Sequence, residues 1–261
     1  MTEIKLSVVI ITYNEEQNIA KCLEAAKKVA DEIIVVDSYS IDKTKEICIS
    51  YGVKFYEHQF EDYVTQKNFA ASLASYQYIL NIDADEVLSD KLIKSILEVK
   101  KNWTCDGYYV NRLTNYCGKW IKHGGWYPDK KLRLWYAPKG KWEGKKLHER
   151  LILEENSKIG YLKGDLLHYS YKSINQHINQ LNKFTEIAAQ TEALENRKIT
   201  FLHIYIFPTW KFIKDYIIKL GFLDGYYGFV IAIISAFASF IKYAKIKEYK
   251  KTSNTQTKLN F

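Results

Sequence analysis

No CxxC pair occurs among the four cysteines, Cys22, Cys48, Cys105 and Cys117, which removes the commonest spacing for a zinc site or a dithiol redox pair. No signal-like stretch is visible either: Met1 to Lys5 lead directly into an apolar run. Together these absences predict reduced, buried thiols in a cytoplasmic protein. A GxxxxGK[ST] loop is missing, which argues against a P-loop nucleotide enzyme. There is no internal repeat, and the only low-complexity stretch is the polar tail 252–261, predicted to be disordered. Acidic residues are scarce at the C-terminal end: residues 201–261 hold nine Lys against three Asp or Glu, a net of +6 out of +8 for the whole chain. A basic segment on a near-neutral body predicts an anionic surface as partner. Its lysines stand among long apolar runs, which suits a bilayer better than a phosphate groove, so no nucleic acid partner is expected.

What the chain does have is a 47% apolar composition over 261 residues, enough for one large domain with an appended element. Residues 6–12 (LSVVIIT), 32–36 (EIIVV), 53–57 (VKFYE) and 76–82 (YQYILNI) read as strands, the first two as runs buried on both faces. Helices are expected between them, at about 15–29, from an Asp42 cap to about Ser50, and at about 65–74, with Gly52 ending the second. That alternation implies a parallel, doubly wound sheet. Beyond residue 90 it weakens. A helix near 90–100, short strands near 107–113, 131–136, 147–153 and 165–170, and a long helix at 173–198 are expected. The Gly-, Trp- and Lys-rich region 114–146 reads as functional loop.

Ligands of open α/β sheets bind at the carboxyl ends of the strands. Three polar clusters fall there: Thr12-Tyr13-Asn14-Glu15, Asp37-Ser38-Tyr39-Ser40 and Asp83-Ala84-Asp85-Glu86. Asn, Asp and Ser are also ordinary turn residues, but three such clusters on one edge favour a site. Asp83 and Asp85 repel one another unless a cation neutralises them. Mg²⁺ or Mn²⁺ takes carboxylate oxygen and keeps places for substrate phosphates, and a metal-bridged diphosphate is a good leaving group.

The stretches SVVIITYNEEQNI at 7–19, VVDSYSIDKT at 35–44, Gln66-Lys67-Asn68 and NIDADE at 81–86 resemble glycosyltransferase family 2, with the GT-A fold. GGWYPDKKLRLW at 124–135 and Leu147-His148-Glu149 look like the bacterial lipopolysaccharide-core type of β-glycosyltransferase, over nearly the whole chain. The fold class this implies is α/β, a GT-A Rossmann-like doubly wound mixed sheet with a C-terminal helical membrane-associating segment. The domains expected are a glycosyltransferase domain at 1–200, a helical membrane anchor at 201–251 and the tail at 252–261. The QxxRW signature of processive family-2 synthases is absent, which disfavours polymerisation.

The resemblance implies roles for matching positions. Thr12, Tyr13 and Glu15 would line the nucleotide pocket, Asp37 would bond the uracil edge or ribose, and Lys67 would lie near the diphosphate. Asp83 would approach ribose or metal, beside Ala84, and Asp85 would bind the divalent cation directly. The family inverts the anomeric centre, which needs a carboxylate general base. Glu149 is the first candidate and Asp129 the second. Each could instead be a surface carboxylate paired with a neighbour. His168 is either a further metal ligand or a hydrogen-bonded core histidine; His148 would orient Glu149 or the acceptor. Trp126 and Tyr127, among Trp120 and Trp142 and several glycines, would stack on an acceptor sugar or simply pack beneath a loop.

In 211–220 (KFIKDYIIKL) apolar and charged residues separate by helical face. An uncharged run follows from Gly225 to Ile241, at the lower length limit for a span, and then Lys242, Lys245, Lys247, Lys250 and Lys251. A monotopic anchor with its lysines on anionic headgroups is expected, against a helical pair on the soluble domain or a true span. The functional expectation is an inverting, metal-dependent transferase. It would move a hexose, best guess glucose, from a UDP-sugar to a lipid-linked saccharide such as lipopolysaccharide inner core. It would sit peripherally on the inner face of the cytoplasmic membrane. The rivals are a sugar-nucleotide-forming nucleotidyltransferase, whose basic glycine-rich loop is replaced here by TYNEE, and a non-catalytic sugar-nucleotide-binding membrane protein.

Overall fold

The computed structural model describes residues 3–144, 149–194 and 199–259. The chain divides into two compact units, Met1–Leu113 with Pro128–Tyr169, and Thr114–Tyr127 with Ser170–Phe261.

The first unit is built on a mixed sheet. Strands β1 (Leu6–Thr12), β2 (Glu32–Asp37), β3 (Lys54–Glu57) and β4 (Tyr78–Asp83) pair in parallel, in the order β3-β2-β1-β4. Helices α1 (Ile19–Ala26), α2 (Thr44–Ser50) and α3 (Tyr63–Ser72) connect them. Gly52, at φ +66, turns the chain out of α2, a conformation glycine adopts without a Cβ penalty. Val8, Val9, Ile10, Ile34, Val35 and Val36 are buried. Each contributes on the order of 1.5–3 kcal/mol relative to an exposed side chain, which is why these continuous β-branched runs occupy the sheet centre.

The sheet continues through β8 (Asp129–Tyr136), β6 (Gly107–Tyr116), β11 (Ile159–Tyr171) and β5 (Glu86–Leu88). Strand β8 runs antiparallel to β4, with Leu80 opposite Leu134, and β11 runs antiparallel to β5, with His168 opposite Glu86. Helix α4 (Asp90–Lys101) is capped by the Ser89 side chain, which accepts from Leu92 N. A separate ribbon joins β9 (Gly140–Glu143) to β10 (Arg150–Leu153).

Within the region 114–146, β8 stands where a strand was expected near 131–136, while the stretches expected as loop also carry β9 and, in the second unit, β7 (Lys119–Ile121), which pairs with Thr114–Tyr116. Tyr116 is fully buried there, and packs edge-on to Trp126, His177 and Tyr227. The remainder of that unit is helical. Helix α5 (Ile174–Leu194) packs on α7 (Gly225–Leu259) through Ala189, Tyr243 and Ile246. Between them α6 (Phe207–Ile213) is flanked by wider π-helical turns at Leu202–Ile206 and Lys214–Ile218. Phe229 of α7 meets Phe212 and Tyr216, making an antiparallel pair turned at Leu220 and Gly225, both at positive φ.

Candidate active site

The carboxyl ends of β1, β2 and β4 lie side by side, because Thr12 pairs with Asp37 and Ile11 with Asp83 in register. The loops there are laced together. Ser38 N donates to Thr12 O at 3.0 Å, Asn14 N to Ser40 Oγ at 2.7 Å, Glu15 N to Thr44 Oγ1 at 2.8 Å and Glu16 N to Asp42 Oδ2 at 3.0 Å. This use of residues 14–18 as a linking turn delays the start of α1 to Ile19, four residues past its predicted start. Asp37 is fully buried, and its carboxylate accepts from both Ser40 N and Ser40 Oγ. Thr12 Oγ1 is buried with no hydrogen-bond partner among the described residues. A group left so is costly unless something outside the protein satisfies it. Tyr13 stands exposed.

Three consecutive residues of α3 serve three different loops, since successive helical side chains are rotated by about 100°. Gln66 donates to Ser38 Oγ at 3.1 Å. Lys67 Nζ lies 3.3 Å from Asp83 Oδ1 and 3.2 Å from Glu149 Oε1, over the indole of Trp142. Asn68 clamps the Trp142 backbone, donating to its carbonyl and accepting from its N–H.

Asp83 and Asp85 face different partners. Arg133 Nη2, on β8, lies 3.1 Å from Asp83 Oδ2 and 2.8 Å from Glu86 Oε1. Glu86, fully buried, accepts from Asp83 N through its other oxygen at 3.0 Å. Burial opposes the charged Asp83 carboxylate, but Lys67, Arg133 and Arg112 outweigh it and hold the group well below the usual carboxylate range. Burial likewise opposes the Arg133 charge, and Glu86 and Asp83 more than restore it, so the guanidinium stays protonated. Asp83 Oδ1 is near enough to Lys67 for charge pairing but accepts no hydrogen bond from any described residue. Asp85, by contrast, has no Lys or Arg within ion-pair distance among the described residues. Its Oδ2 lies 3.1 Å from His168 Nε2.

That spacing tests the expected cation. Two neighbouring donors on one octahedral ion, each at about 2.1 Å, stand about 3.0 Å apart. Carboxylate oxygen suits Mg²⁺ or Mn²⁺, and an imidazole nitrogen beside it favours a transition metal over Mg²⁺. Among the described residues no three His, Cys, Asp or Glu side chains converge into a complete cage. Asp85 and His168 could therefore hold such an ion only as two donors, with substrate phosphates and water supplying the remaining places.

Other predicted positions fall as follows. Glu149, at the entry to β10, keeps Lys67 as its partner. Asp129 is tied on both oxygens: Arg112 binds Oδ2 at 2.8 Å and Lys131 binds Oδ1 at 3.0 Å. Ala84 is buried, and its N–H donates to Ile11 O at 3.2 Å. Glu15 Oε2 accepts from Asn18 Nδ2 at 2.6 Å. Trp126 and Tyr127 belong to the second unit, where Trp126 packs against Tyr116, Tyr171 and His177. Trp142 is buried beneath Lys67. His148 lies outside the described residues.

Arg133 was not singled out in the sequence, Glu86 was named only as the end of the Asp83–Glu86 cluster, and Trp142 only as one of the loop aromatics. The available signal was a charged residue inside the apolar run Leu132–Trp135, since Arg is almost never fully buried unless paired.

The chain belongs to glycosyltransferase family 2: the model of that family, "Glycosyl transferase family 2", matches residues 7–177. The fold is GT-A-like, and the protein is a glycosyltransferase. Among similar proteins, an uncharacterized glycosyltransferase of Rickettsia typhi is 33% identical over 254 residues, covering 94% of this chain and 87% of that protein. The lipopolysaccharide core biosynthesis glycosyltransferase LpsC of Rhizobium meliloti is 29% identical over 253 residues, covering 94% and 92%. Among solved structures, S. aureus TarS 1–349 in complex with UDP is 15% identical with a TM-score of 0.48, covering 97% of this chain and 92% of that one.

Proposed function

We propose that this glycosyltransferase moves a hexose, with inversion, from a UDP-sugar to a lipid-linked saccharide of the lipopolysaccharide-core kind, with a divalent cation. The observation that carries the reading is the partition of the two aspartates. Asp83 is neutralised by Lys67 and Arg133, while Asp85 is left beside His168. The similarity to LpsC supports the acceptor class.

In this reading Asp85 and His168 hold Mn²⁺ or Mg²⁺, which supplies charge compensation to the leaving diphosphate. Thr12, Tyr13, Glu15 and the Asp37 turn bind the nucleoside, and Asp83, with the small Ala84 beside it, faces ribose or diphosphate. Lys67 adds a positive charge beside the diphosphate. Glu149 is the general base. The acceptor oxygen bonds to the anomeric carbon, the carbon–oxygen bond to the diphosphate breaks, and the hydroxyl proton passes to Glu149. Asp129 is the weaker candidate, because Arg112 and Lys131 occupy both its oxygens and compete with any proton it would take. Trp126, Tyr127 and His148 remain the proposed acceptor contacts. A UDP-sugar screen with Mn²⁺ and lipid extract tests the reading. One UDP-hexose should be consumed, and Glu149→Gln should abolish transfer while UDP still binds. Full activity of Asp85→Ala with unchanged metal dependence would overturn it.

We also infer that 201–251 docks on the anionic inner face of the cytoplasmic membrane. By length and composition Gly221–Lys251 is apolar enough to cross a bilayer, but among the described residues α7 is buried along one side. Tyr226, Phe229, Ile233, Phe237 and Phe240 form an exposed stripe at helical spacing, while Ile231, Ala232, Tyr243 and Ile246 are buried. Asp215 and Asp224 are turned inward, and Lys211, Lys214 and Lys219 outward. One apolar face bordered by lysines supports a helix lying in the interface rather than crossing it. The protein should sediment with phosphatidylglycerol vesicles, less so in high salt, and Phe229→Ser/Phe237→Ser should lose that binding. Failure to bind vesicles, with self-association through this stripe instead, would sink the idea.

A further inference from the structure

The turn after β2 holds a tyrosine in a backbone conformation that its side chain disfavours. Tyr39 has φ +61, in the left-handed region that penalises every residue with a Cβ. The turn is pinned from several sides, so the strain is imposed by its surroundings. Ser38 N is held by Thr12 O at 3.0 Å and Ser38 Oγ by Gln66 at 3.1 Å. Ser40 N is held by Asp37 at 2.7 Å, and Ile41 N by Asn14 Oδ1 at 2.9 Å. Glycine would occupy position 39 without strain, and burial does not explain the tyrosine, whose residue is 51% exposed.

Across the edge, Asn14 also has a positive φ, +53, and its N–H bonds Ser40 Oγ at 2.7 Å. One residue from each end of that hydrogen bond stands an exposed tyrosine: Tyr13, 57% exposed, and Tyr39. Two exposed aromatic residues thus stand at neighbouring strand ends, Tyr13 directly following Thr12, whose buried hydroxyl has no partner among the described residues. Strained residues held by over-determined surroundings cluster at ligand sites, and a flat exposed ring is suited to the face of a heterocyclic base.

We propose that Tyr39 is a nucleobase-binding residue: its exposed ring supplies an aromatic face for the base of the nucleoside diphosphate donor, in addition to Tyr13 from the neighbouring strand end. The proposal rests on the reading of the β1–β2 edge as the donor site and adds a residue to it.

The test is calorimetric titration of UDP and of pyrophosphate, both with Mn²⁺, into the full chain and three variants. Tyr39→Asn keeps a residue that tolerates the left-handed region, Tyr39→Gly removes the strain, and Tyr39→Phe keeps the ring. Loss of one base–aromatic stack weakens binding by about tenfold. Asn and Gly should therefore weaken UDP by about that factor, leave pyrophosphate within twofold, and hold or raise the melting temperature. Phe should bind UDP within twofold of the unaltered protein. UDP affinity unchanged in the Asn and Gly variants would overturn the proposal, as would equal weakening of UDP and pyrophosphate with a lowered melting temperature. If the unaltered protein bound pyrophosphate but not UDP, the donor reading itself would fall, and this proposal with it.

Discussion

Asp85 Oδ2 and His168 Nε2 stand 3.1 Å apart although 83 positions separate them in the chain. The strand pairing accounts for it: β11 returns antiparallel to β5 and sets His168 opposite Glu86, one residue past Asp85. Tyr169 N then donates to Asp85 O at 2.9 Å and fastens the two strands beside the donor pair.

If this pair holds the cation, His168→Ala should weaken Mn²⁺ binding in the presence of UDP. The loss should be at least the roughly tenfold seen when even an outer partner of a metal ligand is removed. Asp85→Asn should lower kcat/KM by about 100-fold or more. Mn²⁺ titration followed by electron paramagnetic resonance reads the first effect, and transfer kinetics the second. Chelation should abolish turnover, and added Mn²⁺ should restore it.

Arg133 neutralises two carboxylates at once, Asp83 and the fully buried Glu86. Removing it leaves a buried charge uncompensated, which costs about 3–5 kcal/mol. Arg133→Met should lower stability in urea denaturation by that order. Arg133→Met/Glu86→Gln should recover part of the loss, because the orphaned charge is gone. A single variant as stable as the parent would refute the assigned role.

His177 is pushed down to about 4 by burial, against about 6.5 in an unfolded chain. The folded state therefore binds its proton less readily than the unfolded one. Its contribution is complete above about pH 6.5 and is lost as pH falls through the range toward 4. Tyr116 Oη lies 3.0 Å from His177 Nδ1 in the same aromatic cluster. Melting temperature should fall over that window, and His177→Gln should flatten the dependence. A parent protein equally stable at pH 7 and pH 4.5 would contradict this assignment.

Trp135 Nε1 donates to Asn81 Oδ1 at 2.8 Å in the core of the sheet. Trp135→Phe would leave that buried amide oxygen unsatisfied, at a cost of about 1–3 kcal/mol. Trp135→Phe/Asn81→Leu should regain part of it, as a double-mutant cycle in urea would show.

The parallel half of the sheet was legible because a strand covered on both faces is a continuous apolar run, and β1, β2 and β4 are such runs. The return strands were harder. Strand β5 has only three residues, and β11 is thirteen residues of mixed polarity, so neither has a clear period. Trp142 read as part of a loop because glycines and lysines surround it, yet Asn68 holds its backbone into a ribbon under α3. The site was legible to the same extent. Asp37, Lys67, Asp83 and Asp85 follow predicted strands or lie on a predicted helix, and local sequence places them. Arg133 and Glu86 matter through pairing across distant strands, and no local window contains both.

The ion pair between Arg133 and Asp83 also has a bearing on the order of synthesis. As the chain leaves the ribosome, Asp83 and Glu86 emerge about fifty residues before Arg133, which balances them both. Until β8 is made, Lys67 is the one cation of the Lys67–Arg133 pair already present to offset Asp83. That edge of the sheet gains its full counter-charge only when the antiparallel return has been made.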